Sequence, residues 1–142
     1  MKHLCRLLIS TPLAEKPKWF PSEIVLSSKK LIAVLDDDPS VHNLWRNKAY
    51  PLNLYHFTHI NNFMSWITEN SAEKENMIFL MDYELNQDSS TVNGLNLLEE
   101  LNPKKMGYLM TSHAEEYQIQ KRCEAAGVWL IPKVLFEYIP IN

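Results

Sequence analysis

Five residues in this chain have side chains suited to a single reaction, and they stand at matching places in the sequence. Asp36 and Asp37 follow the apolar run LIAVL, Asp82 closes MIFLMD, Thr111 closes GYLMT and Lys133 follows VWLIP. Each therefore sits at the C-terminal end of a strand-like run, and in an open parallel sheet those ends form the edge where ligands bind. Carboxylates converging on one pocket repel one another, and a hard divalent cation with oxygen ligands relieves that repulsion. A hydroxyl and an ammonium beside them can meet the charge that spreads over the equatorial oxygens of a phosphoryl group in transfer. Together the five residues read as a magnesium and phosphoryl site. Taken singly, each has a plainer role: DDDPS makes a turn and cap, Thr111 suits a strand, and Lys133 suits a solvated surface. The chemistry rests on their joint order, with Asp82 45 positions beyond Asp37, Thr111 29 beyond Asp82, and Lys133 22 beyond Thr111.

To bring these residues together the chain must alternate strands and helices. LIAVL has the continuous apolar character of a strand covered on both faces. Asp38 then offers an N-cap oxygen, Pro39 suits the first helical position, and Val41, Leu44 and Trp45 recur at helical spacing. LNLYHF is expected as the second strand and FMSWITEN as the second helix. MIFLMDY is the third strand, followed by a polar loop through Gln87 to Asn93 and a helix whose Leu95, Leu98 and Leu101 share one face. GYLMTS is the fourth strand, AEEYQIQKRCEAAG a helix stopped by Gly127, and VWLIPK the fifth strand. Right-handed crossovers make this a parallel α/β sheet. Only nine residues follow Lys133, and Pro140 is among them, so a last helix is expected to be truncated or absent. Residues 1–28, broken by Pro12, Pro17 and Pro21, read as a tail or linker, and residues 29–142 as the domain. The apolar surface that a last helix would cover then needs another cover, either residues 1–26 or a second copy of the chain in a homodimer.

Composition narrows the function classes. A chain of 142 residues with 46% apolar residues has room for one domain with a sizeable core. A formal net charge of −3 supplies no overall pull toward nucleic acid or anionic lipid. No apolar run approaches the roughly 20 residues that cross a bilayer, and Arg6 interrupts the only stretch that resembles a signal peptide. Cys5 and Cys123 are too few for a disulfide scaffold and lack zinc spacing, which fits a cytoplasmic protein. The five histidines form no metal motif, and His56 and His59 read as polar positions near a strand end. Trp45, Trp66 and Trp129 read as packing residues.

The ordered acid pair, aspartate, threonine and lysine resemble the receiver domain of bacterial two-component response regulators over residues 29 to about 135. The resemblance implies a doubly wound, flavodoxin-like receiver fold. It also implies that Asp82 takes a phosphoryl group from a histidine kinase or a histidine phosphotransfer protein, with Thr111 and Lys133 assisting. Mg2+, for which Mn2+ substitutes, would be held by Asp37, Asp82 and the backbone carbonyl of Glu84, with Asp36 acting through a bound water. Such a domain is a signalling module that reports phosphorylation by changing its surface, rather than an enzyme acting on outside substrates. PKWFPSEIVL, DDDPSVHNLW and LIPK followed by YIPI further resemble the C-terminal receiver of bacterial hybrid sensor histidine kinases.

The chain departs from the family pattern in two places. Val134 follows the lysine where a proline is usual, so the family's cis-proline turn is not expected, and Leu130 stands where many receivers carry a switching aromatic, with Trp129 one position away. Glu84 and His113 flank the path of hydrolytic water in the family. Two other readings compete: a receiver-like interaction module that is never phosphorylated, and a haloacid-dehalogenase-like phosphohydrolase in which Asp36, Asp38 and Ser40 mimic D-x-D-x-T/V. The phosphohydrolase needs a second acidic pair after its lysine, and only Glu137 follows Lys133.

Overall fold

The structure, a computed structural model, describes residues 2–10, 12, 15–85 and 92–142. Part of the expected loop from Gln87 to Asn93 lies outside these residues. Five strands form one parallel sheet: β1 (Leu31–Leu35), β2 (Tyr55–Phe57), β3 (Met77–Asp82), β4 (Gly107–Thr111) and β5 (Trp129–Pro132), in the order β2-β1-β3-β4-β5. The reversal of direction after β2 makes the sheet doubly wound. With right-handed crossovers, α2 (Pro39–Ala49) lies on one face and α3 (Ile60–Glu69), α4 (Gly94–Leu101) and α5 (Tyr117–Ala126) lie on the other. A short helix, α1 (Lys2–Ser10), precedes them.

Local chemistry explains most element ends. Asp38 caps α2 by accepting from the Ser40 amide at 2.9 Å, and Pro39 occupies the first turn, where its missing N–H costs nothing. Asn93 and Asn96 bond reciprocally at the start of α4. Gly127 ends α5 in the left-handed region at φ 68°, which glycine adopts without a Cβ penalty. The second strand is shorter than the run LNLYHF suggests. At the sheet edge it pairs with Ala33, Val34 and Leu35, and among the described residues nothing on its outer side extends the ladder.

The face shared with α2 has no closing helix. Residues 133–138 form a single 3-10 segment, Lys133–Tyr138, whose Leu135 and Phe136 are buried, with Phe136 set edge-on to Trp45 of α2 at 4.5 Å. The rest of the cover comes from the other end of the chain. Trp19, Phe20, Ile24 and Leu26 are buried in the same core as the strands, together with Cys5 and Leu8 of α1. Backbone bonds seat this segment: Leu130 N donates to Trp19 O at 2.8 Å, Ile24 N to Pro140 O at 2.8 Å, Asn142 N to Ile24 O at 2.9 Å and Leu26 N to Asn142 O at 2.8 Å. Ile24 and Ile141 form a parallel bridge, and Val25 N donates to the hydroxyl of buried Tyr108 on β4 at 3.0 Å. The two ends of the chain thus form a clasp where a last helix would lie. The cover is intramolecular.

Candidate functional site

Strand register sets the site. Leu35 pairs with Met81, Asp82 with Met110 and Thr111 with Pro132, so Asp36, Asp82, Thr111 and Lys133 step across the carboxyl edge at nearly one level. Asp36, Asp37 and Asp82 each offer an oxygen, and these atoms lie within 4.8 Å of one another. Three carboxylates so close are a strong local concentration of negative charge.

One cation answers it. Lys133 Nζ lies 2.8 Å from Asp82 Oδ1 as an ion pair. That oxygen is buried, and the ammonium is the partner it has among the described residues. A buried carboxylate oxygen inside a cluster of three acids fits a hard divalent cation. Glu84 follows in the turn after β3, beside Tyr83, and its side chain reaches away to His113, with Oε1 2.5 Å from Nε2.

The electrostatics follow from burial. Asp36 is 2% exposed, and burial, reinforced by the charges of Asp82 and Asp37, pushes its carboxyl up to about 7 against the hydrogen bond from the Asp38 amide and the charge of Lys133. Burial also raises Asp82, although Lys133 pulls the other way and Asp37 and Glu84 reinforce the rise. For Lys133, burial favours the neutral amine, but the bond to Asp82 and the charges of Asp82, Asp36 and Glu84 outweigh it and hold the ammonium above its ordinary range.

Thr111 is buried at the end of β4, and its Oγ1 accepts from His113 N at 2.9 Å. A hydroxyl has one proton to give, and this bond uses only an acceptor position, leaving the donor available. Asp38 stands apart from the acid cluster: its Oδ1 accepts from both the amide and the hydroxyl of Ser40, which lower its carboxyl. The D-x-D pattern thus has its second acid employed as a helix cap. Leu130 is fully buried, and Trp129, at the opposite end of β5 from Lys133, donates to Lys105 O at 3.2 Å with the Lys105 ammonium over its ring.

Two features of the site are not visible from its motif. Gly94 opens α4 directly behind Asp82, where a Cβ would stand 2.0 Å from the Asp82 carbonyl oxygen, so only glycine lets α4 seat on the end of β3. His42, on the α2 face it shares with Trp45, bonds the Asp36 carbonyl. The spacing of three between His42 and Trp45 was the available signal for its burial.

Comparison with solved structures identifies the fold. The receiver domain of the histidine kinase CKI1 from Arabidopsis thaliana, complexed with Mg2+ and BeF3-, matches with a TM-score of 0.58 at 14% identity, over 77% of this chain and 84% of that one. The signal receiver domain of a Luxo repressor protein from Vibrio parahaemolyticus matches with a TM-score of 0.54 at 15% identity, over 78% and 85%. No protein-family model matches the sequence, and no curated protein matches it. The chain has the receiver fold, with an acidic cluster where that fold carries its site.

Proposed function

We propose that this receiver fold is a phosphoacceptor module of a two-component phosphorelay, with Asp82 taking a phosphoryl group from a phosphohistidine on a histidine kinase or phosphotransfer protein. The observation that carries the reading is the convergence of three carboxylates within 4.8 Å on a lysine 2.8 Å from one of them. In the reaction a carboxylate oxygen of Asp82 forms a bond to phosphorus as the phosphorus–nitrogen bond to the donor imidazole breaks. The electron pair leaves with the imidazole nitrogen, and the product is an aspartyl phosphate.

The chain's own residues prepare this step. Lys133 already faces Asp82 and is the group to pair with a phosphoryl oxygen once the carboxylate charge is spent. The free proton of Thr111 is placed to donate to another. Asp37, Asp82 and the backbone carbonyl of Glu84 would hold Mg2+, with Asp36 ordering a bound water. The ion would supply charge neutralisation for two anions that must approach each other. Mn2+ has similar oxygen preferences and should substitute.

A cytoplasmic setting suits this role: both cysteines are free and buried, and among the described residues no helix is long and apolar enough to cross a membrane. The likeness to a receiver of a histidine kinase favours a place within, or beside, a hybrid kinase. The output would pass to a partner protein, with no direct nucleic-acid contact by this chain. Incubation with Mg2+ and acetyl phosphate, read by intact mass, tests the reading. One phosphoryl adduct on the wild type and none on Asp82→Asn is the expected result. No adduct on the wild type with either acetyl phosphate or a phosphorylated histidine donor would leave the unphosphorylated docking module as the better account.

A further inference from the structure

We propose that His42, braced by His56, is a positioning residue for the metal site: a one-way hydrogen-bond chain from the edge strand that fixes the backbone of Asp36. The inference rests on the receiver reading and extends it to residues outside the five that would carry the chemistry. Asp36 lies one residue past the last β1–β3 pair, Leu35 with Met81. Its amide is served by Phe57 O of β2 at 3.1 Å, but its carbonyl has run out of ladder, and a buried carbonyl needs a donor. His42 Nε2 is 2.7 Å from it, on a ring only 3% exposed.

That bond decides the rest. A carbonyl can only accept, so His42 as a neutral imidazole carries its proton on Nε2 and presents a bare Nδ1. His56 Nδ1 lies 2.7 Å from that Nδ1, so it must be the protonated nitrogen of its own ring. The chain runs from His56 through His42 to Asp36, and neither ring can turn without breaking it. His56 is itself fixed in the sheet, paired with Val34 of β1.

Asp36 is thereby tied at three points. Its amide donates to Phe57 O, its carbonyl accepts from His42, and its Oδ1 accepts from the Asp38 amide at 2.8 Å, which leaves Oδ2 outside these bonds. Packing between α2 and the sheet would be served as well by leucine. A buried histidine is costly unless its nitrogens are matched, and here both are matched in the direction that locks the acid loop. Outer partners of metal ligands act in this way, by fixing the ligand before the ion arrives.

Three full-length variants and one spectrum test the assignment. His42→Leu removes the donor, and the Mg2+ dissociation constant measured by calorimetry should rise by about 10- to 100-fold. His42→Gln places an amide N–H near the lost Nε2 and should recover most of that affinity. His56→Phe should give an intermediate loss, because His42 then keeps its bond but loses its brace. In the wild type, long-range 15N imidazole spectra at neutral pH should show His42 protonated at Nε2 and His56 at Nδ1, a readout independent of metal and of phosphorylation. Wild-type Mg2+ affinity in His42→Leu overturns the proposal, as does a His42→Gln variant no better than His42→Leu, or reversed tautomers. If His42→Leu fails to fold, His56→Phe and the spectrum still decide. A wild type with the expected tautomers that binds no Mg2+ overturns the receiver reading and the positioning role with it, whereas Mg2+ binding that is indifferent to both histidines overturns the positioning role alone.

Discussion

The acid edge and the terminal clasp meet on two shared strands, yet they follow opposite rules. Thr111 and Lys133 lie at the C-terminal end of β4 and directly after β5, while Tyr108 and Leu130 of those strands bond Val25 and Trp19 of the clasp. In the clasp the backbone groups of Ile24, Leu26, Pro140 and Asn142 are paired, and the side chains of Ile24, Leu26 and Ile139 are apolar and buried. At the edge, three carboxylates converge within 4.8 Å, and buried Asp82 is paired with the Lys133 ammonium. The clasp contributes stability to the domain; the site draws on it. On the proposed function the site would take up a cation and a phosphoryl group, and the crowding of its acids persists only where the surrounding structure holds it.

The contrast can be broken most directly in the clasp. Trp19→Ala removes a large side chain that is 3% exposed, and the loss on denaturant unfolding should be about 3–5 kcal/mol. Mg2+ affinity of the folded fraction should stay at the wild-type value. A stability loss near zero would mean that residues 15–26 are dispensable to the core. The converse variant is Lys133→Ala. Phosphorylation by acetyl phosphate should slow by about 10²–10³-fold, as for removal of one charge-stabilising donor, while the melting temperature in saturating Mg2+ stays close to wild type. Any stability lost in chelator should return with Mg2+, because the cation replaces the missing counter-charge of Asp82.

Tyr108→Phe probes the junction between the two regions. It removes the acceptor of the Val25 amide and should cost about 1–3 kcal/mol, with the rate of phosphorylation unchanged. Equal damage to rate and stability would show that clasp and site move as one.

The smallest expected effect is a pH slope. Asp36 in the folded protein titrates at about 7, against about 4 in the unfolded chain, so the native state binds more protons between these values. Metal-free stability should therefore fall as pH rises from 6.5 to 8, by about 1 kcal/mol. His56 runs the other way: burial, reinforced by the charges of Arg46 and His42, lowers it to about 4 from an ordinary value near 6.5, so its share of stability is lost as pH falls below 6.5. Just above pH 6.5 the two opposing contributions overlap, and Asp82, which burial also raises, lies beside Asp36, so a substitution must assign the slope. Asp36→Asn should abolish the slope there in chelator, and a slope that survives the substitution would assign it to another group.

Much of the fold was legible in the chain because it rests on short-range patterns. The runs LIAVL, MIFLMD, GYLMT and VWLIP are apolar without alternation, and each became a strand buried on both faces. Asp38 with Pro39, and Gly127, marked helix ends because capping is a matter of a few neighbouring residues. Once those strands are known to be parallel, their C-terminal ends share one edge, so the juxtaposition of Asp36, Asp37, Asp82 and Lys133 follows from chain order. The short β2 and the start of α5 at Tyr117 were less legible, since an edge strand and a frayed first turn depend on what lies beside them.

What the sequence by itself determined is the alternation of elements and the types of residue at the strand ends. Only the tertiary structure decided how the open face is closed and how the acid loop is held. Pro12, Pro17 and Pro21 announce irregular backbone, and nothing local in EIVL tells that Ile24 will pair with Ile141 or Val25 with Tyr108. His42 and His56 likewise belong to different elements, and their meeting requires α2 and β2 to be docked on β1 first. The physical reason is range: periodicity and capping are energies between neighbours along the chain, whereas the clasp and the histidine chain are contacts whose partners are brought together only by folding.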